Sequence, residues 1–522
     1  MKFKVFIPTA GIGARLDNIT KFINKSLVEV NNKPIITHII EKFDEKQEFV
    51  IALGYKSKLV KDYLKIAHPN LKVQFIEVKK YFGRGSGLGL TMLLSKKFLQ
   101  CPFIFISCDS FIQNTNIPKP TYNWMGFSRE CNPKLYRTIL HKKGEIKSIL
   151  EKNSKIKRLK NYIGICGIKS YKEFWDAMDF NKETINTGEV KGLKKILKKK
   201  KIFSEEFNWF DCGNLNSLKK IRDIYNNTGI NILPKDNEAI YFVKNNVIKF
   251  SKSKNFIKKR VKRQKVLKNF TPKIIDFEEN FYTYKKVNGK IFSEINSIKN
   301  FKILMKFLKN FWKLKKLKNQ NEKISFFNNC EKFYKKKTLE RIDDFYKKYR
   351  IKDNSTLINK IETPPLKEIL KKVNWREIKH GIPGNYHGDL HFENILMNKK
   401  KRFTLLDWRQ DFGGNIFYGD IYYDLAKLMH GMIISHNIIK KNGFKILLRN
   451  KNKKISYSFH RQKLNKIILK DFEKWIILNG YDLKKVRILT SLIFLNIAPL
   501  HHCPYSIFLY YLGKNLLYKE IK

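Results

Sequence analysis

Short apolar runs separated by polar, glycine-bearing turns dominate the first hundred residues. Residues 2–8, 49–53, 73–78 and 103–107 each read as a buried strand. Between them, residues 35–41, 58–66 and the segment from Leu88 carry the longer apolar period of helices. Strand and helix alternating at this spacing predict βαβ units. The expected fold is a doubly wound, Rossmann-like α/β domain with ligands outside the carboxyl ends of its strands. After residue 235 the pattern changes. Residues 238–243 and 247–250 flank Asn245-Asn246, which tolerate the positive φ of a hairpin turn. A helix over 256–268 and strands over 273–277 and 282–287 follow. Residues 295–375 read as mainly helical, with Phe301, Leu304, Phe307, Leu308 and Phe311 at helical spacing as a core-facing stripe.

At 522 residues the chain exceeds what one hydrophobic core organises. Its 43% apolar and 14% aromatic content argues against long disordered tails. No apolar run reaches 18 residues, and none follows the first strand as a signal-peptide core would, so a cytoplasmic location is expected. Peripheral membrane contact stays open. Seven scattered cysteines without a CxxC pair suggest neither a disulfide framework nor a zinc site. The net charge of +61 raises the alternative of a basic nucleic-acid-binding protein. Lysines recur along almost the whole chain, densest over 194–201 and 258–268, which fits solvated faces better. Nucleic acid is therefore not the expected partner, whereas nucleoside triphosphates suit such a field.

In the first half, Thr9-Ala10-Gly11-Ile12-Gly13-Ala14-Arg15-Leu16 follows the first strand, and such a turn lets backbone N–H groups approach a phosphate. A third glycine near Leu16 is missing, and no GxxxxGK[ST] loop occurs. Asn24-Lys25-Ser26-Leu27, Asn32-Lys33-Pro34-Ile35, Gly83-Arg84-Gly85-Ser86-Gly87 and Cys108-Asp109-Ser110 come next. Glu151-Lys152, Asn161-Tyr162-Ile163-Gly164-Ile165 and Trp209-Phe210-Asp211-Cys212-Gly213 complete the series. Together these blocks resemble the sugar-phosphate and phosphocholine nucleotidyltransferases over roughly residues 1–225. The resemblance implies that Asp109 and Asp211 hold Mg²⁺ and that Arg15 and Lys25 neutralise a triphosphate. It also implies that Gly11 and Gly13 donate backbone N–H groups, Gly85 and Ser86 meet base or ribose, and Lys152 meets the incoming phosphate. A strand-end cap for Asp109 and a helix N-cap for Asp211 are the ordinary alternatives.

The second half holds His387-Gly388-Asp389-Leu390-His391-Phe392-Glu393-Asn394-Ile395-Leu396, then an apolar strand over 403–406 ending in Asp407-Trp408. Gly419-Asp420-Ile421-Tyr422-Tyr423-Asp424 stands nearby. This resembles the aminoglycoside phosphotransferase and choline kinase family, whose fold is two-lobed, α+β and protein-kinase-like. Phosphoryl transfer needs a base beside the acceptor hydroxyl and oxygen ligands for Mg²⁺. By resemblance Asp389 is the base, Asn394 and Asp407 bind metal, and Lys249 clamps ATP phosphates. His387 and Asp424 are expected to brace the loop. His391 is open between substrate contact and packing, and Trp408, Tyr422 and Tyr423 are candidates for a cation-binding wall. Two departures stand out: no glycine-rich loop precedes Lys249, and the 256–268 helix has no Glu to pair with it.

The expected organisation is a nucleotidyltransferase domain over 1–230 and a kinase-like domain over 235–522, with a small lobe to about 295 and a helical large lobe beyond. The expected function is bifunctional. ATP phosphorylates a small alcohol or sugar, and a second triphosphate, with CTP a candidate, converts the product into a CDP-alcohol or NDP-sugar for surface polysaccharide decoration. Choline is the first-choice acceptor, because both halves resemble enzymes of phosphocholine pathways. The rival within the same fold is a nucleotidyltransferase carrying a catalytically silent kinase-like module.

Overall fold

Val5, Phe6 and Ile7 are fully buried, and their strand, Lys4–Pro8, lies inside the first sheet of the computed structural model. The structure describes residues 2–113, 116–156, 158–225, 237–450 and 452–522. Among these, a nine-stranded sheet runs in the spatial order Lys72–Glu77, Glu48–Leu53, Lys4–Pro8, Phe103–Ile106, Lys160–Ile168, Trp124–Ser128, Phe203–Glu206, Glu145–Leu150 and Thr138–Lys142. Its first four strands are mutually parallel, joined by the helices Ile35–Ile40, Ser57–Ala67 and Leu88–Ser95. This is the doubly wound, Rossmann-type arrangement expected from the sequence pattern, and it sets the strand ends of Lys4–Pro8 and Phe103–Ile106 side by side.

The chain divides into two compact units, Met1–Ile257 with Ile275–Lys285, and Lys258–Ile274 with Lys286–Lys522. The expected boundary at 230–235 lies outside the described residues. The strands Glu238–Val243, Asn246–Ser251, Phe281–Lys285 and Ile274–Glu278 do form a sheet, as the hairpin signal predicts. That sheet was expected as the small lobe of the kinase-like half, but the structure groups it with the first unit. The reason is core packing: Tyr241, Val243, Ile248, Phe250 and Phe281 share a buried cluster with Val60 and Tyr63 of the helix Ser57–Ala67. The Tyr63 and Tyr241 rings meet edge-on at 5.5 Å. Lys249 therefore stands on a strand of the first unit.

The second unit is built mainly of helices. Ile421–Ile433, Leu483–Ile497 and Tyr505–Ile521 are almost wholly buried. A hairpin of Ile395–Met397 and Phe403–Leu405 carries the loop motif. The helical reading of 295–375 needs a correction. Thr356–Ile358 and Ile361–Thr363 are strands, and they join Lys454–Phe459 and Phe444–Arg449 in a four-stranded sheet. Thr356, Ile358 and Thr363 are buried while Leu357 and Glu362 face out, a period of two too short to show against the helices around it. Among the described residues no helix is long and apolar enough to cross a membrane.

Candidate functional site

In the first unit the two aspartates meet because their strands pair. Ser110–Ile112 runs antiparallel to Trp209–Asp211 with Asp211 opposite Ser110, and the Cys212 N–H donates to the Asp109 carbonyl at 2.9 Å. Gly213 lies between them. A β-carbon there would stand 2.7 Å from Asp109 Oδ2, 2.9 Å from Asp211 Oδ1 and 2.9 Å from an Arg15 guanidinium nitrogen. Two carboxylates and one guanidinium thus converge on a space that only glycine leaves open.

Lys25 Nζ lies 3.4 Å from Asp109 Oδ2 and Arg15 lies 3.9 Å away, while Ser107 donates its hydroxyl to Oδ1. Burial alone would raise the Asp109 pKa, but the Lys25 charge, the Ser107 hydrogen bond and Arg15 outweigh it and hold the carboxyl below its usual range. Burial likewise disfavours the Lys25 charge, and the facing Asp109 and Cys108 reverse that, so its pKa is raised. Asp211 is held by neutral donors instead: the Gly213 N–H at 2.7 Å, Asn214 Nδ2 at 2.8 Å and the Tyr136 hydroxyl at 2.9 Å. Burial and then Asp211 push the Tyr136 hydroxyl pKa up, so it remains a donor.

The glycine turn wraps Lys25. Gly13 has φ +68°, and a β-carbon there would come within 2.9 Å of Thr20 and 3.0 Å of Lys25. A cleft of about 650 Å³ opens beside the turn, lined by Ile12 and Ala14, by Tyr55, Tyr81 and Phe82, and by Lys21, Lys79 and Lys80. Aromatic faces beside ammonium groups suit a nucleobase that carries phosphates. Gly85 has φ +82° and borders Lys80, while Ser86 donates its hydroxyl to the Gly83 carbonyl at 2.7 Å. Lys152 is exposed on the turn after Glu145–Leu150 and, among the described residues, makes no hydrogen bond or ion pair with the two aspartates. Tyr136 and Ser107 were not singled out from the sequence, since a lone Tyr or Ser carries no spacing signal.

Mg²⁺ fits this donor set. Asp109 and Asp211 supply two hard carboxylates that converge beside Gly213.

In the second unit Asp389 is half-exposed. Its Oδ1 lies 2.7 Å from Lys427 Nζ and its Oδ2 3.8 Å from His391 Nε2. Burial opposes ionisation, but Lys427 and then His391 hold the Asp389 pKa well below the usual range. Asn394 Nδ2 donates to the Asp389 carbonyl at 2.9 Å. The hairpin brings Asp407 alongside, because the Leu406 N–H donates to the Asn394 carbonyl at 2.7 Å. Asp407 has φ +59° and Arg260 lies 2.9 Å from its Oδ1. The helix that lacks a Glu thus presents the opposite charge, and a metal at Asp407 and Asn394 fits only if Arg260 shares or releases that oxygen. Lys249 lies in the first unit, whereas Asp389, Asn394 and Asp407 lie in the second.

Asp424 braces the loop as expected. It accepts the His387 and Gly388 N–H groups at 2.6 and 2.7 Å and the Trp312 indole N–H at 3.1 Å. His387 is fully buried, its Nδ1 accepting the Asp389 N–H at 3.3 Å, and burial lowers its pKa to about 3. The aromatic wall does not form. Trp408, Tyr422 and Tyr423 are all buried, with Arg260 over Trp408 and Lys485 4.4 Å from the Tyr422 ring centre.

The chain matches no protein-family model. It is 28% identical over 216 residues to the "Bifunctional protein GlmU" of Methanococcus vannielii, covering 39% of this chain and 50% of that protein. It is 27% identical over 110 residues to the D-glycero-alpha-D-manno-heptose 1-phosphate guanylyltransferase of Campylobacter jejuni, covering 21% and 48%. A crystal structure of UDP-glucose pyrophosphorylase complexed with UDP-glucose overlaps 43% of this chain and 99% of its own, at 19% identity and a TM-score of 0.37, too low to weigh. The chain thus spans about half the length of the curated relatives it matches. About 40% of the chain, in its N-terminal part, is similar to nucleotidyltransferases.

Proposed function

We propose that the first unit is a nucleotidyltransferase that joins a nucleoside monophosphate to a sugar phosphate. The convergence of Asp109, Asp211 and Arg15 on the Gly213 space carries this reading. A phosphate oxygen of the sugar phosphate attacks the α-phosphorus, the bond to the bridging oxygen of pyrophosphate breaks, and pyrophosphate leaves. Two polyanions must approach, so Arg15 and Lys25 offset their charge while the 11–13 turn receives the triphosphate. Bound Mg²⁺ would draw charge from the phosphate oxygens at the two aspartates. Tyr136 and Asn214 orient Asp211, and Ser107 orients Asp109. The Tyr55–Tyr81–Phe82 cleft is our choice for the base. Pyrophosphate release from the full chain, with each nucleoside triphosphate against a panel of sugar 1-phosphates and phosphocholine, tests this. Release with none of them removes the proposal.

The second unit we read as an ATP-dependent phosphotransferase that makes the phosphate consumed by the first, the product serving polysaccharide assembly. Asp389 takes the acceptor proton, and Asn394 holds the Asp389 backbone in place. A silent second unit is the competing reading, favoured by the Arg260–Asp407 pair. Labelled ATP and a panel of alcohols and sugars with the full chain and its Asp389→Asn variant separate the two.

A further inference from the structure

The surroundings of Asp389 hold more positive charge than the loop uses. A π-turn over Lys332–Lys336 joins the helices Gln320–Glu331 and Lys337–Tyr349, an irregularity that often re-aims side chains at functional sites. It presents the Phe333 ring with Lys337 Nζ 4.4 Å and Arg409 Cζ 4.8 Å from its centre. Arg409 is fixed against the catalytic loop: its N–H donates to the His387 carbonyl at 2.8 Å, and a β-carbon on Gly388 would lie 2.5 Å from the Arg409 Cβ. Gly388 precedes Asp389, whose carboxylate meets Lys427. Asp389 thus pairs with Lys427, while Lys337 and Arg409 share the Phe333 ring beside its loop.

Several other cations of this unit face a carboxylate. Arg260 faces Asp407, Lys259 faces Asp411, Arg487 faces Glu473 and Lys514 faces Asp353. Lys337 and Arg409 make no ion pair among the described residues, and the buried Arg409 Nε has no hydrogen-bond partner there. Partly desolvated charges left unmatched are costly unless a ligand of opposite sign completes them. Burial, followed by Arg409, Arg341 and Lys427, lowers the Lys337 pKa, a shift that an anion bound beside it would oppose.

We infer that Lys337 and Arg409 bind the anionic group of the phosphoryl acceptor, a carboxylate- or phosphate-bearing alcohol or sugar. This rests on the second unit being a phosphotransferase. A quaternary ammonium acceptor would be repelled at the same place, and the aromatic rings that could have received it are buried. The acceptor hydroxyl points to Asp389, which takes its proton as the oxygen attacks the γ-phosphorus, and ADP leaves.

The test uses the full chain with γ-labelled ATP and Mg²⁺. Glucuronate and glycerate form the carboxylate arm, and glucose 6-phosphate and glycerol 3-phosphate the phosphate arm. Glucose, glycerol and choline form the uncharged and cationic arm. The expected result is a kcat/KM at least roughly tenfold higher for one anionic arm than for its uncharged counterpart. Lys337→Met and Arg409→Met should each raise the acceptor KM about tenfold, with the loss falling on KM rather than kcat. Lys337→Arg should restore most of it, which separates charge from folding. Preference for choline or an uncharged sugar overturns the inference while leaving the phosphotransferase standing. A rise in the KM for ATP instead overturns it too, by giving both cations to the nucleotide. Phosphorylation of no acceptor removes the phosphotransferase reading and this inference with it.

Discussion

The two acidic centres of this protein differ in how their carboxylates are neutralised. Around Gly213, Asp109 and Asp211 lean on one shared space; among the described residues Asp109 makes the ion pairs, with Lys25 and Arg15, while Asp211 is held by neutral N–H and O–H donors. Around the 387–396 loop each acid has its own cation, Lys427 for Asp389 and Arg260 for Asp407. A pair of aspartates is therefore not in itself a magnesium site. What matters is whether their charge remains available to a metal or is already spent on a side chain.

The contrast can be broken most severely at the shared space. Asp109→Asn or Asp211→Asn should cut pyrophosphate release by about 10³-fold, since each removes a charge that acts in the transition state. Any ATP-dependent phosphorylation by the second unit should survive. Gly213→Ala keeps both acids but fills the gap between them, and a loss of about a hundredfold with little change in melting temperature is expected. A variant with full turnover would show that the convergence is incidental.

A smaller change sharpens the comparison from the other side. Arg260→Gln removes the cation 2.9 Å from Asp407, so the Mg²⁺ concentration giving half-maximal phosphotransfer should fall by roughly tenfold. Abolished transfer would instead make Arg260 part of the working site. The smallest effect concerns pH. His391 is raised to about 9 against an ordinary 6.5; burial opposes this, and the Asp389 carboxylate 3.8 Å away and the Glu393 hydrogen bond outweigh it. A folded pKa above the unfolded one gives stability that is complete below pH 6.5 and lost as pH rises through 9. The loss is on the order of 3 kcal/mol at most. Melting curves between pH 6 and 10 should therefore flatten in His391→Gln, and an unchanged slope would count against the ion pair.

Much of this was legible in the chain. Strand-ending aspartates and a glycine turn announced the first centre because strand period and turn chemistry are local. The 387–396 loop was equally plain. Arg260 escaped notice because the missing Glu was visible while the basic residue facing Asp407 was one among 107 lysines and arginines. Lys152 shows the reverse: a motif neighbour that the structure leaves on an exposed turn. The strands of 238–285 were found but placed with the wrong partner. Apolar residues such as Tyr241 and Phe281 declare that they will be buried, not against what.

The grouping of those strands has a practical and a biosynthetic consequence. The polypeptide passes from one unit to the other three times, at 257, 274 and 285. No single cut can release either half intact: a fragment ending near 230 would leave Val60 and Tyr63 without the apolar neighbours that cover them. On the ribosome, the amino-terminal half must wait for residue 285 to emerge before its interior can close.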